Sequence, residues 1–169
     1  MNSQPALEFQ WLSALGISVV LFLVYGAVYV LIGVLALFLH DRGFGPEMLI
    51  ISPRTDSIVF GKAPEDLLQD DPALAKLRSI VVVIMAGLLF VAGCFQLTIT
   101  WFGLRQGQSW ALVALALGGF AVLPFWYVAL RPYFHPSVHL TLGDMPPFMW
   151  FPAMLLLPAF VLGGIGLGG

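Results

Sequence analysis

The placement of charged residues constrains this chain more than any other feature of its sequence. Only 9% of the 169 residues are charged, whereas soluble domains average about 25%. Four long stretches contain no Asp, Glu, Lys or Arg: 9–40, 79–104, 106–130 and 145–169. A helix needs roughly 20 apolar residues to cross a hydrocarbon layer about 30 Å thick, and each stretch can supply them. The sequence therefore predicts an all-α, four-span transmembrane helix bundle.

We predict a single integral membrane domain over 1–169, with one long polar loop at 40–78. The spans are predicted at about 11–39, 79–102, 110–130 and 147–166. The first span does not resemble a cleavable signal peptide, because no basic residue precedes it and it exceeds the usual apolar core of about 7–15 residues. Pro124 is expected to kink the third span, while Pro152 and Pro158 interrupt the fourth.

The polar loop carries signals for short elements. Two apolar runs, Met48–Ile51 and Ser57–Phe60, flank the turn residues 53–56, and this pattern predicts a small β-hairpin. The segment Ala63–Asp66 has a proline and acids where a helix would begin. Asp71-Pro72 is a stronger helix start, because Asp71 can cap free backbone amides and proline fits the first helical position.

The distribution of Lys and Arg predicts the orientation of the bundle. Six basic residues fall on the side of the two longer loops: Arg42, Arg54, Lys62, Lys76, Arg78 and Arg131. The side with the termini and the short 104–109 connector has only Arg105. Because basic loops stay inside, the 40–78 loop is predicted to be cytoplasmic and both termini to be outside.

Small residues spaced seven apart predict where the first two spans meet, since close backbone approach drives helix association in lipid. The predicted packing residues are Gly26 and Gly33 in the first span, with Ala86, Gly93, Gln96 and Thr100 in the second. Gln96 is the one strongly polar side chain in a predicted span, and an amide removed from water needs a hydrogen-bond partner. We expect Tyr25 to be that partner.

Three histidines, His40, His135 and His139, fall on the side of the long loop and are candidates for holding a cofactor such as haem or a pigment. His135 and His139, with Asp144, could also supply nitrogen and oxygen ligands to a metal ion. The simpler interpretation is that all three are solvated interfacial side chains. The sequence requires no cofactor.

Several function classes find no support in the sequence. A net charge of −2 without a basic run argues against a nucleic-acid partner. The single cysteine, Cys94, cannot form a dithiol pair, and no span has the ionisable group expected for ion or proton transport. Catalysis is not indicated, because the loop acids lie where helix caps are expected: Glu65, Asp66, Asp70 and Asp71. No nucleophile, phosphate-loop or metalloprotease motif is present.

The layout of the chain is similar to that of a known group of membrane proteins. A long first loop, Leu77-Arg78 just before a glycine-bearing second span, and Gly118-Gly119 in the third resemble the DoxX-like group of small four-helix bacterial membrane proteins. The resemblance covers most of the chain and implies a multi-pass protein of the bacterial inner membrane. The thiol chemistry associated with some of that group needs a cysteine pair, which is missing here, and no functional residue is carried over.

The leading hypothesis is a small non-catalytic membrane protein, an accessory or structural subunit packing against a larger membrane protein complex. The first alternative is a homo-oligomeric small permease or channel. The second is a membrane subunit that binds haem, pigment or quinone in an electron-transfer or photosynthetic assembly.

Overall fold

The structure is a computed structural model that describes residues 9–39, 49–135, 138, 140–141, 143–145 and 147–168. Within these residues no β-strand occurs, and four helical segments are long and apolar enough to cross a membrane: Ala14–Phe38, Pro72–Gln106, Ser109–Ala129 and Trp150–Gly168. The prediction of an all-α, four-span bundle is confirmed. The length and composition of these segments imply a lipid bilayer environment.

The first helix, α1 (Ala14–Leu39), packs along the long helix α4 (Pro72–Phe102). A Cβ atom on Gly93 would lie 2.7 Å from the carbonyl oxygen of Gly26 and 2.8 Å from the amide nitrogen of Val30. A Cβ atom on Gly33 would lie 2.7 Å from the carbonyl oxygen of Ala86. The two backbones are therefore in direct contact, which only glycine permits at these positions.

The last helix, α7 (Pro147–Gly168), lies against another face of α1 and runs antiparallel to it. The Ser18 hydroxyl donates a buried 2.6 Å hydrogen bond to the carbonyl oxygen of Ala159. Gly166 approaches the backbone of Leu15 at the same end of the bundle. Pro152 and Pro158 both lie inside α7, as predicted.

The third span is divided into α5 (Ser109–Phe120) and α6 (Leu123–Ala129). The sequence predicts a kink at Pro124, and the structure interrupts the helix at Ala121 and Val122, within one turn before the proline, with both residues keeping right-handed helical dihedral angles. Helix α5 packs on α4 and α7, and Gly119 accommodates the side chain of Leu156. No residue of α6 is buried.

The bundle core lies where α1, α5 and α7 converge, toward the end of the bundle that holds the 104–109 connector. Its fully or nearly fully buried apolar residues are Val19, Phe22, Tyr25, Leu104, Ala111, Leu112, Leu115, Leu156 and Ala159. At the other end, the chain folds into short elements outside the bundle.

The predicted hairpin is wrong, because residues 53–60 form the helix α2 (Pro53–Phe60). The Ser52 hydroxyl accepts the amide of Thr55 at 3.3 Å and Pro53 occupies the first helical turn, so local capping favours a helix. Gly61, at φ 70°, ends the helix in the left-handed conformation that suits glycine. Met48, in the first predicted strand, lies outside the described residues.

Both predicted helix starts after α2 are confirmed. The short helix α3 (Pro64–Asp70) begins at Pro64. Asp71 caps α4 by accepting the amides of Ala73 at 2.9 Å and Leu74 at 3.2 Å through one carboxylate oxygen. The second span therefore begins within the polar segment, as expected.

Candidate functional site

A buried carboxylate organises the polar end of the molecule. Asp56, in the first turn of α2, has no exposed surface. One of its oxygens accepts the amides of Leu49 at 2.7 Å and Ile50 at 3.0 Å; the other accepts the amide of Ile51 at 3.2 Å. The Tyr133 hydroxyl donates to that second oxygen at 2.6 Å. Four donors thus hydrogen-bond to the two oxygens of this carboxylate.

Tyr133 joins this carboxylate to the second polar loop. It lies in the 3₁₀ turn Arg131–Phe134 that follows α6 and is almost fully buried. Burial raises the pKa of the Tyr133 phenol above its usual 10.0, and the hydrogen bond to Asp56 and the charge of Asp56 raise it further. Two loops far apart in sequence are therefore held by one contact between a phenol and a carboxylate.

A second link between the same loops is exposed and electrostatic. An Asp144 oxygen accepts the Thr141 amide at 2.9 Å and the Thr141 hydroxyl at 2.7 Å. The other oxygen lies 3.6 Å from a guanidinium nitrogen of Arg54. The Thr141 hydroxyl bond, the amide bond and the charge of Arg54 together lower the pKa of Asp144 below its usual value. Asp144, a predicted metal ligand, is thus already engaged.

The predicted histidine cluster is only partly within the described chain. His135 is exposed and borders a shallow depression of about 230 Å³ with Ile58, Val59, Pro132 and Val138. His40 and His139 lie outside the described residues. Among the residues that the structure describes, no three His, Cys, Asp or Glu side chains are grouped so as to hold a metal ion.

The loop acids have structural roles. Glu65 and Asp66 lie in the first turn of α3, where negative charge favours the helix dipole. Asp70 forms an ion pair with Lys62, both exposed, and Asp71 caps α4.

Gln96 is placed on the α4 face that meets α1, with Ala86, Gly93 and Thr100 buried on the same stripe. It is 8% exposed, and its side-chain oxygen has no hydrogen-bond partner among the described residues. The expected bond to Tyr25 does not form. The Tyr25 hydroxyl instead donates to the hydroxyl of Tyr29 at 3.2 Å, one helical turn along α1.

The break between α5 and α6 interrupts helical hydrogen bonding inside the membrane-spanning segment, while Ala121 and Val122 keep right-handed helical dihedral angles. Helical hydrogen bonds are present on both sides of the break. The Ala121 amide donates to the Leu117 carbonyl at 2.9 Å, and the Trp126 amide donates to the Val122 carbonyl at 3.0 Å. Proline has no N–H, so Pro124 leaves the carbonyl of Phe120 without its usual i→i−4 donor. The break begins twelve residues into the segment, about 18 Å along a helix, within a hydrocarbon layer of about 30 Å.

The side chains of α6 point outward around this break. Phe125 is 75% exposed and Val128 is 70% exposed. In α7, Pro158 likewise deprives the carbonyl of Met154 of a donor, and both residues are exposed. The prolines were evident in the sequence, whereas the detachment of α6 from the bundle had no sequence signal.

At the opposite end of the bundle, Arg105 contacts aromatic side chains in an arrangement that the sequence did not predict. Arg105 lies in the 3₁₀ turn Leu104–Gln106 between α4 and α5. Its guanidinium carbon lies 4.3 Å from the ring centroid of Trp101, 5.6 Å from Phe9 and 5.9 Å from Trp11. We call these four side chains the Arg105 cluster. In the sequence, this cluster is indicated only by one basic residue on a side of the chain that also carries tryptophans.

Comparison with known proteins did not identify a relative of this chain. Scans of the chain against protein-family models, against curated proteins and against solved structures each found no match.

Proposed function

We propose that this protein is a small non-catalytic membrane subunit that packs, through α6 and the α5–α6 break, against a larger membrane protein. The observation that carries the proposal is the exposed helix break at membrane depth. Lipid offers no hydrogen bonds to backbone groups, so a carbonyl that a proline leaves without its donor in the hydrocarbon region, as Pro124 leaves that of Phe120, is tolerated where protein or water covers it. An adjoining membrane protein would supply that cover.

Three further features support a packing role. The α6 segment presents aromatic and branched side chains rather than a charged surface. The described carboxylates at the loop end lie in helix caps and first turns, ion pairs and loop contacts. The Asp56–Tyr133 contact fixes the start of the second loop, and so positions the end of α6 relative to α2.

Photocrosslinking in native membranes tests the proposal. A photoreactive residue replaces Phe125 or Val128 on α6, and a matched control replaces Leu88, which is 61% exposed on α4. We expect discrete crosslinks to one larger membrane protein from both α6 positions, and lipid adducts from position 88. Lipid adducts alone from all three positions would contradict the proposal.

The same experiment identifies the permease or channel alternative, which Gln96 and the two proline-interrupted spans favour. A crosslink at twice the chain mass of 18.4 kDa would indicate a homo-oligomer. Solute flux in liposomes that is abolished by Gln96→Leu would then replace the subunit proposal. A visible absorption spectrum of the gently solubilised protein tests the haem and pigment alternative, for which an absorption band is the required result.

A further inference from the structure

We infer that the Arg105 cluster binds the phosphodiester headgroup of an anionic phospholipid. The cluster lies at the end of the molecule opposite the loop contacts, and its ligand is independent of the proposed function. It contains a positive charge that the described chain leaves without a counter-ion.

Arg105 makes no ion pair with any described residue, and its Nε atom is buried without a hydrogen-bond acceptor. Its contacts are to the three aromatic rings. Arginine stacks on aromatic faces through its planar guanidinium while the edge of that plane still presents donors in a fork. Stacking on Trp101 therefore orients the fork without using its hydrogen bonds.

The depth of the cluster indicates a lipid ligand. Trp11, Trp101 and Trp110 lie at this end of the bundle and all three are exposed. Tryptophan concentrates at the level of the headgroups, so the guanidinium lies where lipid phosphates lie. A phosphodiester matches the guanidinium fork bidentately, and an anionic lipid adds the net negative charge that the described chain lacks here.

The neighbouring backbone also favours an anion. Gly107, at φ 72°, turns the chain into α5, whose N-cap residue Gln108 makes no side-chain capping bond. The first amides of a helix have no partner within the helix and attract negative charge. The amides of Ser109 and Trp110 begin four residues after Arg105, at the same end of the bundle, whereas the next amide, of Ala111, donates to the Gln108 carbonyl at 3.0 Å.

Native mass spectrometry of the purified, delipidated full-length protein tests the inference by titration with dioleoylphosphatidylglycerol. We expect Arg105→Gln to weaken binding by about tenfold, the loss typical of a charge-assisted hydrogen-bonded contact. Arg105→Lys keeps the charge but loses the fork and the stacking. Its lipid affinity should lie between those of the unmodified chain and Arg105→Gln. Arg131→Gln removes an equivalent exposed charge from the other end and should bind as the unmodified chain does.

Two further measurements test whether the ligand is a lipid and whether Arg105 is the residue that binds it. Inorganic phosphate at millimolar concentration should not displace the lipid, because it lacks the acyl chains held beside the tryptophans; displacement would overturn the lipid assignment. Glu8→Gln removes the acid next to Phe9 and should leave lipid binding unchanged or tighter. Equal binding by Arg105→Gln, or equal losses from Arg105→Gln and Arg131→Gln, would overturn the inference.

Discussion

At the scale of single residues, the contact between Tyr133 and Asp56 has the clearest consequence. Tyr133→Phe keeps the buried ring and removes one hydrogen bond to a carboxylate, a contribution of about 1.5–3 kcal/mol. We expect faster amide hydrogen exchange across 49–60, because the carboxylate that orders these amides loses a donor. Tyr127→Phe, which alters an exposed ring, is the matched control, and equal exchange in the two variants would contradict the assigned role.

The raised pKa of Tyr133 predicts that the polar end of the molecule loses stability at alkaline pH. The pKa of Tyr133 is raised in the folded protein, so its stabilising effect is present below pH 10 and is lost as pH rises through the folded-state pKa. Ionisation would place a second negative charge beside Asp56. Absorbance titration at 295 nm should show the same number of phenols ionising near pH 10 in the unmodified chain and in Tyr133→Phe, because Tyr133 does not ionise there. One phenol fewer near pH 10 in Tyr133→Phe would refute this.

Contacts between residues could be predicted where both partners are close together in the sequence. The Asp71 cap followed from two adjacent residues, because capping depends on the amides two and three positions away. The Asp56–Tyr133 bond joins residues 77 apart and leaves no mark in either local sequence. The predicted Gln96–Tyr25 pair is wrong for a related reason: depth along two helices does not fix which way a hydroxyl turns, and the Tyr25 hydroxyl donates to Tyr29.

At the scale of elements, glycine spacing predicts which substitutions the α1–α4 contact tolerates. Gly93→Ala places a methyl group against the backbone of Gly26 and Val30, and overpacking of this kind costs about 1–3 kcal/mol. Gly87→Ala, on the same helix with nothing within 4 Å, should instead stabilise by up to about 1 kcal/mol through helix propensity. Thermal unfolding in one detergent should move in opposite directions for the two variants; the same direction for both would contradict the described helix contact.

The break in the third span gives a second prediction at this scale. Pro124→Ala restores an N–H that can bond to the carbonyl of Phe120, so α5 and α6 should join into a more continuous helix. Amide exchange across 121–126 should slow, and the crosslinks from Phe125 and Val128 should weaken because α6 is redirected. Pro72→Ala, at the first turn of α4 where no hydrogen bond is lost, should change neither measurement. Unchanged exchange in Pro124→Ala would mean that packing, not proline, causes the break.

Elements were predictable in proportion to their length. Each span has 19 or more residues in a strongly apolar helix, and such a signal overrides local variation. Helix α2 has eight residues, too few for periodicity to separate a strand from a helix. Its capping serine and proline decided the outcome. That no residue of α6 is buried reflects where the other helices pack, which charge and spacing do not record.

At the scale of the whole molecule, the structure groups the ends of the bundle as the charges predicted. Tyr133 meets Asp56 and Asp144 meets Arg54, so the two longer polar loops share one end. Arg105 meets Phe9, and Gly166 meets Leu15, so the connector and the two terminal regions share the other. Which end faces the cytoplasm depends on the Lys and Arg count alone and remains a prediction.

Thiol labelling in intact cells measures that orientation. In a Cys94→Ser background, Lys62→Cys reports on the loop end and Gln106→Cys on the connector end, since both positions are exposed. Because six of the seven basic residues lie at the loop end and basic loops stay inside, a membrane-impermeant maleimide should label position 106 directly. Position 62 should react only after permeabilisation. The reverse pattern would invert the topology and would place the Arg105 cluster among the lipids of the cytoplasmic leaflet instead of the outer one.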